Sequence, residues 1–234
     1  MTNINLGCGA QIIDGWINVD YSLGAVFAKL PLFSTLNRFS HVFGQEWDPR
    51  IRLHDLRKRF PWADDSADVV YASHTLEHFS REDGLRFLRE CFRILKPEGV
   101  IRILVPDLAH NIAQYNAGHM RADEFVKGLG VLYGLGKTSW KKRLAPLVEY
   151  PHKCHYDTPT LVAILQEIGF AARGRQPYES EISGIARIED EGRTKHAVIV
   201  EGKKSRLDAT THCNSYGVAT PPAAISFGRY DGRP

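Results

Sequence analysis

Short apolar segments alternate with amphipathic segments along the chain. Period-two alternation and short unbroken apolar runs predict six strands. A helix is predicted after Ser80, because Ser80 and Asp83 have capping-box spacing and the next apolar residues recur every three or four positions. A second helix is predicted from Thr158, as N-cap before Pro159, to Gly169. The predicted strands cover residues 4–6, 16–19, 51–54, 68–72, 100–105 and 197–200.

Strands that alternate with helices predict an α/β fold with a mostly parallel sheet. Residues 107–156 interrupt this alternation after the fifth strand, and we interpret them as a substrate-side insertion in one domain spanning residues 1–204. The periodicity ends near Ser205, so we expect residues 205–234 to form a flexible or loosely docked tail.

Composition is that of an ordinary globular protein, since 43% of the 234 residues are hydrophobic and 24% are charged. The net charge of +3 is too small to indicate nucleic-acid binding unless the basic residues cluster on one surface. We therefore expect no nucleic-acid partner. Four cysteines lie far apart, which argues against a disulfide framework and favours a reducing compartment.

With no targeting signal or membrane-spanning segment, we predict a cytoplasmic protein. Contact with a membrane surface stays open. We interpret the basic patch around Trp140 as a solvated helix face, with attraction of an acidic or phospholipid-linked substrate as the alternative; the patch comprises Lys137, Lys141, Lys142 and Arg143.

A glycine loop follows the first predicted strand, in the run Asn-Leu-Gly-Cys-Gly at positions 5–9. Glycines there let a ligand approach the backbone closely. Asp20, at the end of the second strand, is placed to accept both hydroxyls of a ribose. The dinucleotide motif G-x-G-x-x-G is incomplete, because Ile12 takes the third glycine position. These features predict a nucleoside-binding crevice and argue against a nicotinamide dinucleotide.

Four runs of the chain together resemble class I S-adenosylmethionine-dependent methyltransferases. The nearest likeness is to the methyltransferase type 11 group of small bacterial proteins, over roughly residues 3–110 and more weakly to the last strand. The runs are NLGCG…GWINVD, HDL, FPWADDSADVVYASHTLEH and LRECFRILKPEGVIRILVPDL.

The resemblance implies a Rossmann-like sheet of seven strands sandwiched by helices, with S-adenosylmethionine as the cofactor. By position in the motifs, it implies a methionine-binding loop, the ribose-binding Asp20, and Asp55 and Leu56 at the adenine. It also implies that Ser73 and His74 lie under the cofactor and face the substrate. The loop residues are Leu6, Gly7, Cys8 and Gly9.

The candidate catalytic residues lie at the two ends of the insertion. His155 belongs to a dense polar cluster of residues 152–156 and is the predicted general base, because imidazole titrates near neutral pH. Asp107 is the second candidate, although it also suits a helix N-cap.

His74 to His78 match the inverted zinc-protease pattern H-x-x-E-H. That pattern needs an α-helix to bring both histidines to one metal, whereas here it directly follows a strand. Cys154 with His152 and His155 is a second candidate donor set, but its spacing is too tight for a standard zinc finger. We therefore expect no stoichiometric zinc and no other metal.

The sequence predicts methyl transfer from S-adenosylmethionine to a small-molecule, sugar or glycan acceptor, with oxygen as the expected acceptor atom. Two alternatives stay open at this stage. One is a non-catalytic nucleoside-binding scaffold of the same fold, and the other is a nicotinamide-dependent oxidoreductase.

Overall fold

The computed structural model describes residues 1–30, 46–132 and 150–205. Strands and helices alternate through these residues as the sequence predicts. The strands are β1 (Asn3–Leu6), β2 (Ile17–Asp20), β3 (Arg52–Leu53), β4 (Ala67–Ser73), β5 (Leu95–Pro106), β6 (Phe170–Gly174) and β7 (Ala197–Lys204). The α-helices are α1 (Leu23–Phe27), α2 (Arg81–Ile94), α3 (Leu108–Asn116), α4 (Ala122–Gly128), α5 (Thr158–Ile168) and α6 (Glu191–Thr194). Two 3-10 turns cover Leu76–His78 and Ile185–Arg187.

The strands form one seven-stranded sheet in the order β3-β2-β1-β4-β5-β7-β6. All pairs are parallel except those of β7, which runs antiparallel to both β5 and β6. The predicted α/β fold with a mostly parallel, Rossmann-like sheet is therefore confirmed. The strand order reverses between β1 and β4, and ligands of open α/β sheets bind beyond the carboxyl ends of the strands at such a reversal.

Both faces of the sheet are covered, because successive residues of a strand point to opposite faces. On one face, Val70 and Ile101 pack with apolar residues of α2 and α5 such as Phe87 and Leu161. On the other face, Tyr71 packs with residues of the connection between β6 and β7. Burial on both faces explains why β4 and β5 are so apolar.

A buried arginine on β5 anchors the connection between β6 and β7. Arg102 is fully buried and forms a bidentate ion pair with Glu189, with N···O distances of 2.6 and 2.8 Å. It also donates to the carbonyl of Glu179 at 2.8 Å and to Glu201 at 3.2 Å. Because this connection carries α6, the ion-pair network fixes where α6 lies relative to the sheet.

The start of α2 confirms the predicted cap, since the backbone N–H of Asp83 donates to Ser80 Oγ at 3.2 Å. The N-cap of α5 was misplaced by one residue. It is Asp157, whose carboxylate accepts from the Thr160 N–H at 2.9 Å, and Thr158 is the first helical residue. Gly169 ends α5 in the left-handed conformation, as predicted.

Three strand predictions need correction. β5 begins at Leu95, five residues before the predicted start, because Leu95 already pairs with Ala67 across a register irregularity. The last strand extends to Lys204 because it pairs with β6 as well as β5. β6 itself, FAARG, was missed, since this short edge strand has only one buried residue.

The two ends of residues 107–156 lie side by side. The Leu108 N–H donates to the Tyr156 carbonyl at 3.0 Å, and Asp107 and Tyr156 form an isolated parallel bridge. The basic patch at 137–143 and the tail from 206 fall outside the described residues. In the parts of the chain that are described, no helix has the length and apolar character required to cross a membrane.

Candidate active site

A cavity of about 680 Å³ opens at the carboxyl ends of β1 and β4, where the strand order reverses. Small-molecule sites typically have volumes of ~300–1,000 Å³. Of the nine residues predicted to hold the cofactor, five line this cavity: Gly7, Cys8, Gly9, Ser73 and His74. The fold thus brings two separate sequence motifs to one concave surface.

The two glycines of the loop have different surroundings. Both have positive φ, +70° for Gly7 and +58° for Gly9. A Cβ on Gly7 would lie 2.2 Å from Thr75 Oγ1, whereas a Cβ on Gly9 would meet nothing within 4 Å. Gly7 is therefore required for packing against Thr75, and Gly9 leaves open space on the cavity wall.

Asp20 holds the glycine loop in place. Its Oδ2 accepts the Gly9 N–H at 2.8 Å, and its Oδ1 accepts the Ser22 N–H at 2.7 Å. The Asp20 carboxylate also raises the pKa of the neighbouring Cys8 thiol, although burial is the larger cause, and together they bring it to about 12. Cys8 is therefore an inert part of the loop at neutral pH.

Four predicted cofactor residues are not among those that line the cavity in the described part of the chain: Leu6, Asp20, Asp55 and Leu56. Leu6 is fully buried, and Leu56 is buried in the same apolar core. Asp55 follows β3 and pairs with Arg57 at 2.8 Å. The hydrogen bond from Arg57 is the main reason that the pKa of Asp55 is lowered. Asp55 is thus ionised and already has a cationic partner.

His74 at the end of β4 has an unusual backbone conformation for a non-glycine residue, with φ +52°. Such strain concentrates at functional sites. Its Nε2 lies 3.0 Å from the Arg193 carbonyl, and its Nδ1 lies 3.4 Å from Glu77 Oε1. Burial opposes protonation of His74, but the Glu77 carboxylate and the Arg193 carbonyl outweigh it and raise its pKa.

Behind His74 lies a cluster of ionisable side chains that joins two distant segments. The Glu77 side chain is only 1% exposed, and Nε2 of His152 lies 4.0 Å from its Oε1. The rings of His78 and His152 are 5.1 Å apart, and those of His152 and His155 are 6.0 Å apart. Burial lowers the pKa of both His152 and His155, so both imidazoles are neutral at pH 7.

The two predicted catalytic residues do not line the large cavity. His155 lines a second cavity of about 110 Å³ between α2 and α5, together with Cys154 and Tyr156. Asp107 is the N-cap of α3 and accepts the Ala109 N–H at 2.9 Å. The structural role considered for Asp107 is therefore present, and a catalytic role for either residue stays a prediction.

Four further residues line the cavity that sequence reasoning missed: Ala10, Gln11, Glu46 and Arg193. Arg193 comes from α6 and donates from Nε to Gln11 Oε1 at 2.8 Å. Ala10 and Gln11 directly follow the predicted glycine loop. No local motif marks Arg193, because α6 reaches the cavity through the Arg102 network described above.

The residues present fit S-adenosylmethionine. The open space at Gly9 leaves room for a ligand against the backbone. Ser73 Oγ is buried, lies at the cavity, and has no hydrogen-bond partner among the described residues. A buried polar atom of this kind requires a partner, and a bound polar ligand supplies one.

The chain resembles methyltransferases in sequence and in fold. The family model of a methyltransferase domain (type 11) matches residues 4–103. A SAM-dependent methyltransferase from Methanosarcina mazei shares the fold with a TM-score of 0.51 at 15% identity, over 87% of this chain and 92% of that one. A SAM-dependent methyltransferase from Archaeoglobus fulgidus superposes with a TM-score of 0.47 at 16% identity, over 87% and 86%. No curated protein matches the chain in sequence.

The family match covers β1 to β5, the segment that contains the glycine loop, Asp20 and His74. The fold match covers 87% of the chain. Residues 4–103 therefore match a methyltransferase domain, and the chain shares its fold with a SAM-dependent methyltransferase.

Proposed function

We propose that this methyltransferase acts on a hydroxyl oxygen of a small molecule or sugar. The observation that supports this is the group of imidazoles beside the cavity. His74 lines the cavity, and Glu77, His78 and His152 lie directly behind it. A hydroxyl acceptor must lose a proton, and imidazoles are suited to accept one near neutral pH.

S-adenosylmethionine supplies an activated methyl group when it is bound. In this proposal the Gly7–Gly9 loop with Leu6 holds the amino-acid part of the cofactor, and Asp20 accepts from the ribose hydroxyls. Asp55 and Leu56 receive the adenine. Ser73 donates or accepts at the cavity floor. The chain's main contribution is orientation, for which well-placed reactants gain ~7–11 kcal/mol.

Arg193 adds a permanent positive charge to the cavity wall. Its guanidinium suits a carboxylate, which the amino-acid part of the cofactor contains. Arg193 also fixes His74 through its own carbonyl, at 3.0 Å from Nε2. We therefore assign Arg193 to the cofactor side of the cavity and the histidine cluster to the acceptor side.

The two alternatives from the sequence are weaker. A nicotinamide-dependent oxidoreductase disagrees with both the incomplete glycine motif and the methyltransferase family match. A catalytically inactive scaffold has no specific observation in its favour, because the cavity walls carry ionisable groups in strained positions, such as His74.

The test is a transfer assay with S-adenosylmethionine that carries a ¹³C-labelled methyl group. The chain is incubated with pools of sugars, phenols and amines, and the carbon shift of each product distinguishes methyl bound to oxygen from methyl bound to nitrogen. Asp20→Ala serves as the control with impaired cofactor binding. Labelled methyl on oxygen, absent with the control variant, supports the proposal; methyl found only on nitrogen or carbon overturns it.

A further inference from the structure

We propose that Glu77, His78 and His152 form a binding site for one divalent transition-metal ion, such as Zn²⁺. The ligand atoms of these three side chains lie within 4.8 Å of one another. Two imidazoles and one carboxylate are a donor set found in catalytic zinc and non-haem iron proteins. The proposal rests on this juxtaposition and on the unsatisfied polar atoms described next.

Glu77 is the strongest reason to expect an ion here. Its side chain is 1% exposed, yet neither carboxylate oxygen accepts a hydrogen bond among the described residues. His152 Nδ1 is likewise buried without a partner there. The nearest polar group to the Glu77 carboxylate is the His74 imidazole, with Nδ1 3.4 Å from Oε1. A buried carboxylate without hydrogen bonds is costly, and a cation bound between Glu77 and the imidazoles lowers that cost.

The backbone fixes the three ligands relative to one another. The N–H groups of Lys153 and Cys154 both donate to the Glu77 carbonyl, at 2.7 and 3.1 Å. They hold the return segment of the insertion against the 3-10 turn that carries Glu77 and His78. The His152 N–H also donates to the Gly130 carbonyl at 3.0 Å. A rigid backbone of this kind is what a preformed metal site requires.

Two close neighbours orient the imidazoles. His78 Nδ1 lies 3.5 Å from the Pro151 carbonyl, which favours a proton on Nδ1 and leaves Nε2 as a ligand. The His152 ring packs against Gly130, where a Cβ would lie 2.6 Å from Nδ1. Gly130 therefore provides the space that the His152 ring occupies.

Three protein ligands leave a coordination position open. The His152 side chain is 20% exposed, so the cluster is accessible from that side. An acceptor hydroxyl in the open position would lose its proton more readily, as metal-bound water does. This role rests on the proposed function, whereas the binding of the ion does not.

Zinc binding is tested on the full chain, produced without a histidine tag and stripped with a chelator. Zn²⁺ is titrated by calorimetry, with Mg²⁺ as the ion that prefers oxygen ligands. We expect one Zn²⁺ per chain and much weaker Mg²⁺ binding. His152→Ala and Glu77→Gln should each lower Zn²⁺ affinity by more than ~100-fold, beyond the effect of losing an outer-shell partner. His119→Ala, at an exposed histidine outside the cluster, should leave the affinity unchanged.

Replacement with Co²⁺ gives a readout that does not depend on activity. A visible absorption band that is lost with His78→Ala or His152→Ala in a protein with unchanged circular dichroism supports the site. Absence of stoichiometric Zn²⁺, or Zn²⁺ affinity equal in the wild type and these variants, overturns it. Either of these two results would leave the contact with His74 as the nearest interaction of the Glu77 carboxylate.

Methyl transfer is then compared with and without chelator. Transfer to oxygen that stops with chelator and resumes with Zn²⁺ supports the acceptor role. Zinc binding with transfer unaffected by chelator overturns that role and leaves a structural ion. Transfer to oxygen by a protein that binds no Zn²⁺ overturns the metal site and leaves the proposed function standing.

Discussion

The carboxylate of Asp20 is tied to the backbone of Gly9, eleven residues earlier, by a hydrogen bond of 2.8 Å. The residue predicted to bind the ribose therefore also shapes the loop beneath it. Asp20→Asn should weaken S-adenosylmethionine binding by ~10–150-fold, since losing a charged acceptor costs ~1.5–3 kcal/mol. Calorimetric titration with S-adenosylhomocysteine measures this change.

Asp20→Ala should be the less stable of the two variants, because it leaves the Gly9 and Ser22 N–H groups without their acceptor. Asp14→Asn provides a matched control, since the Asp14 side chain is 87% exposed. Equal cofactor affinity for the Asp20 and Asp14 variants would remove Asp20 from the ribose site.

Alanine substitutions at the two loop glycines should affect different properties, cofactor affinity at Gly9 and stability at Gly7. Gly9→Ala introduces a Cβ into open space at the cavity and should weaken cofactor binding. Gly7→Ala forces a Cβ to within 2.2 Å of Thr75 Oγ1 and should lower the melting temperature. Both variants are measured by thermal unfolding and by calorimetric titration.

Gly15→Ala isolates the effect of backbone strain. Gly15 has φ +79° and open space around it, as Gly9 does, but it does not line the cavity. Both substitutions place an alanine in the left-handed backbone conformation, which costs ~1–2 kcal/mol in each variant. A Gly9→Ala protein that binds cofactor as tightly as Gly15→Ala would contradict our placement of the loop.

The sequence predicts the features that are local. The glycine loop, the Ser80 cap and the apolar strands each lie within a few residues, where turn and periodicity rules apply. The contact between His152 and Glu77 could not be predicted in this way, because the two segments are far apart in the sequence. The adjacent contact between His78 and Pro151 joins residues that are 73 positions apart. Arg193 reaches His74 across 119 residues. The expectation of no zinc treated H-x-x-E-H and the Cys154 cluster as separate motifs, whereas the proposed site combines Glu77 and His78 of the first with His152 of the second.

Arg102 tests how the cavity wall on α6 is held. Arg102→Leu leaves the buried Glu189 without its arginine partner, takes one of two arginines from Glu201, and should lower the free energy of unfolding by ~3–5 kcal/mol. Arg50→Leu removes an ion pair whose arginine is 66% exposed, so the free energy of unfolding should change far less than with Arg102→Leu. Urea denaturation compares the two, and equal losses would refute the role given to Arg102.

Cys8 should resist alkylation despite its place at the cavity. Burial and the Asp20 carboxylate raise its pKa to about 12, so at pH 9 only ~1 in 1,000 thiols is ionised. Because the pKa of Cys8 is raised, its reactive thiolate forms only as the pH approaches that pKa. In a Cys213→Ser background, iodoacetamide at pH 8 should label Cys154 before Cys8 and Cys91. Mass spectrometry locates the label, with urea-unfolded protein as the control; labelling of native Cys8 at the unfolded rate would contradict this assignment.

Of our assignments, the role of His155 as general base is the easiest to disprove, because His155 lies at the small cavity with Cys154 and Tyr156. If an acceptor extends over this segment, His155→Ala should lower kcat by ~10²–10⁴ while the cofactor affinity is unchanged. His196→Ala is the control, since His196 stacks on His110 away from both cavities. Transfer rates are measured under saturating S-adenosylmethionine with the acceptor found by the labelling assay. A kcat within a few-fold of the control would leave His155 as a structural residue of the insertion.

Asp107→Asn would then be compared with Asp107→Ala. Because Asn is also an effective N-cap, a loss of kcat in both variants would indicate a catalytic carboxylate, whereas a loss of stability in the Ala variant alone would indicate a cap.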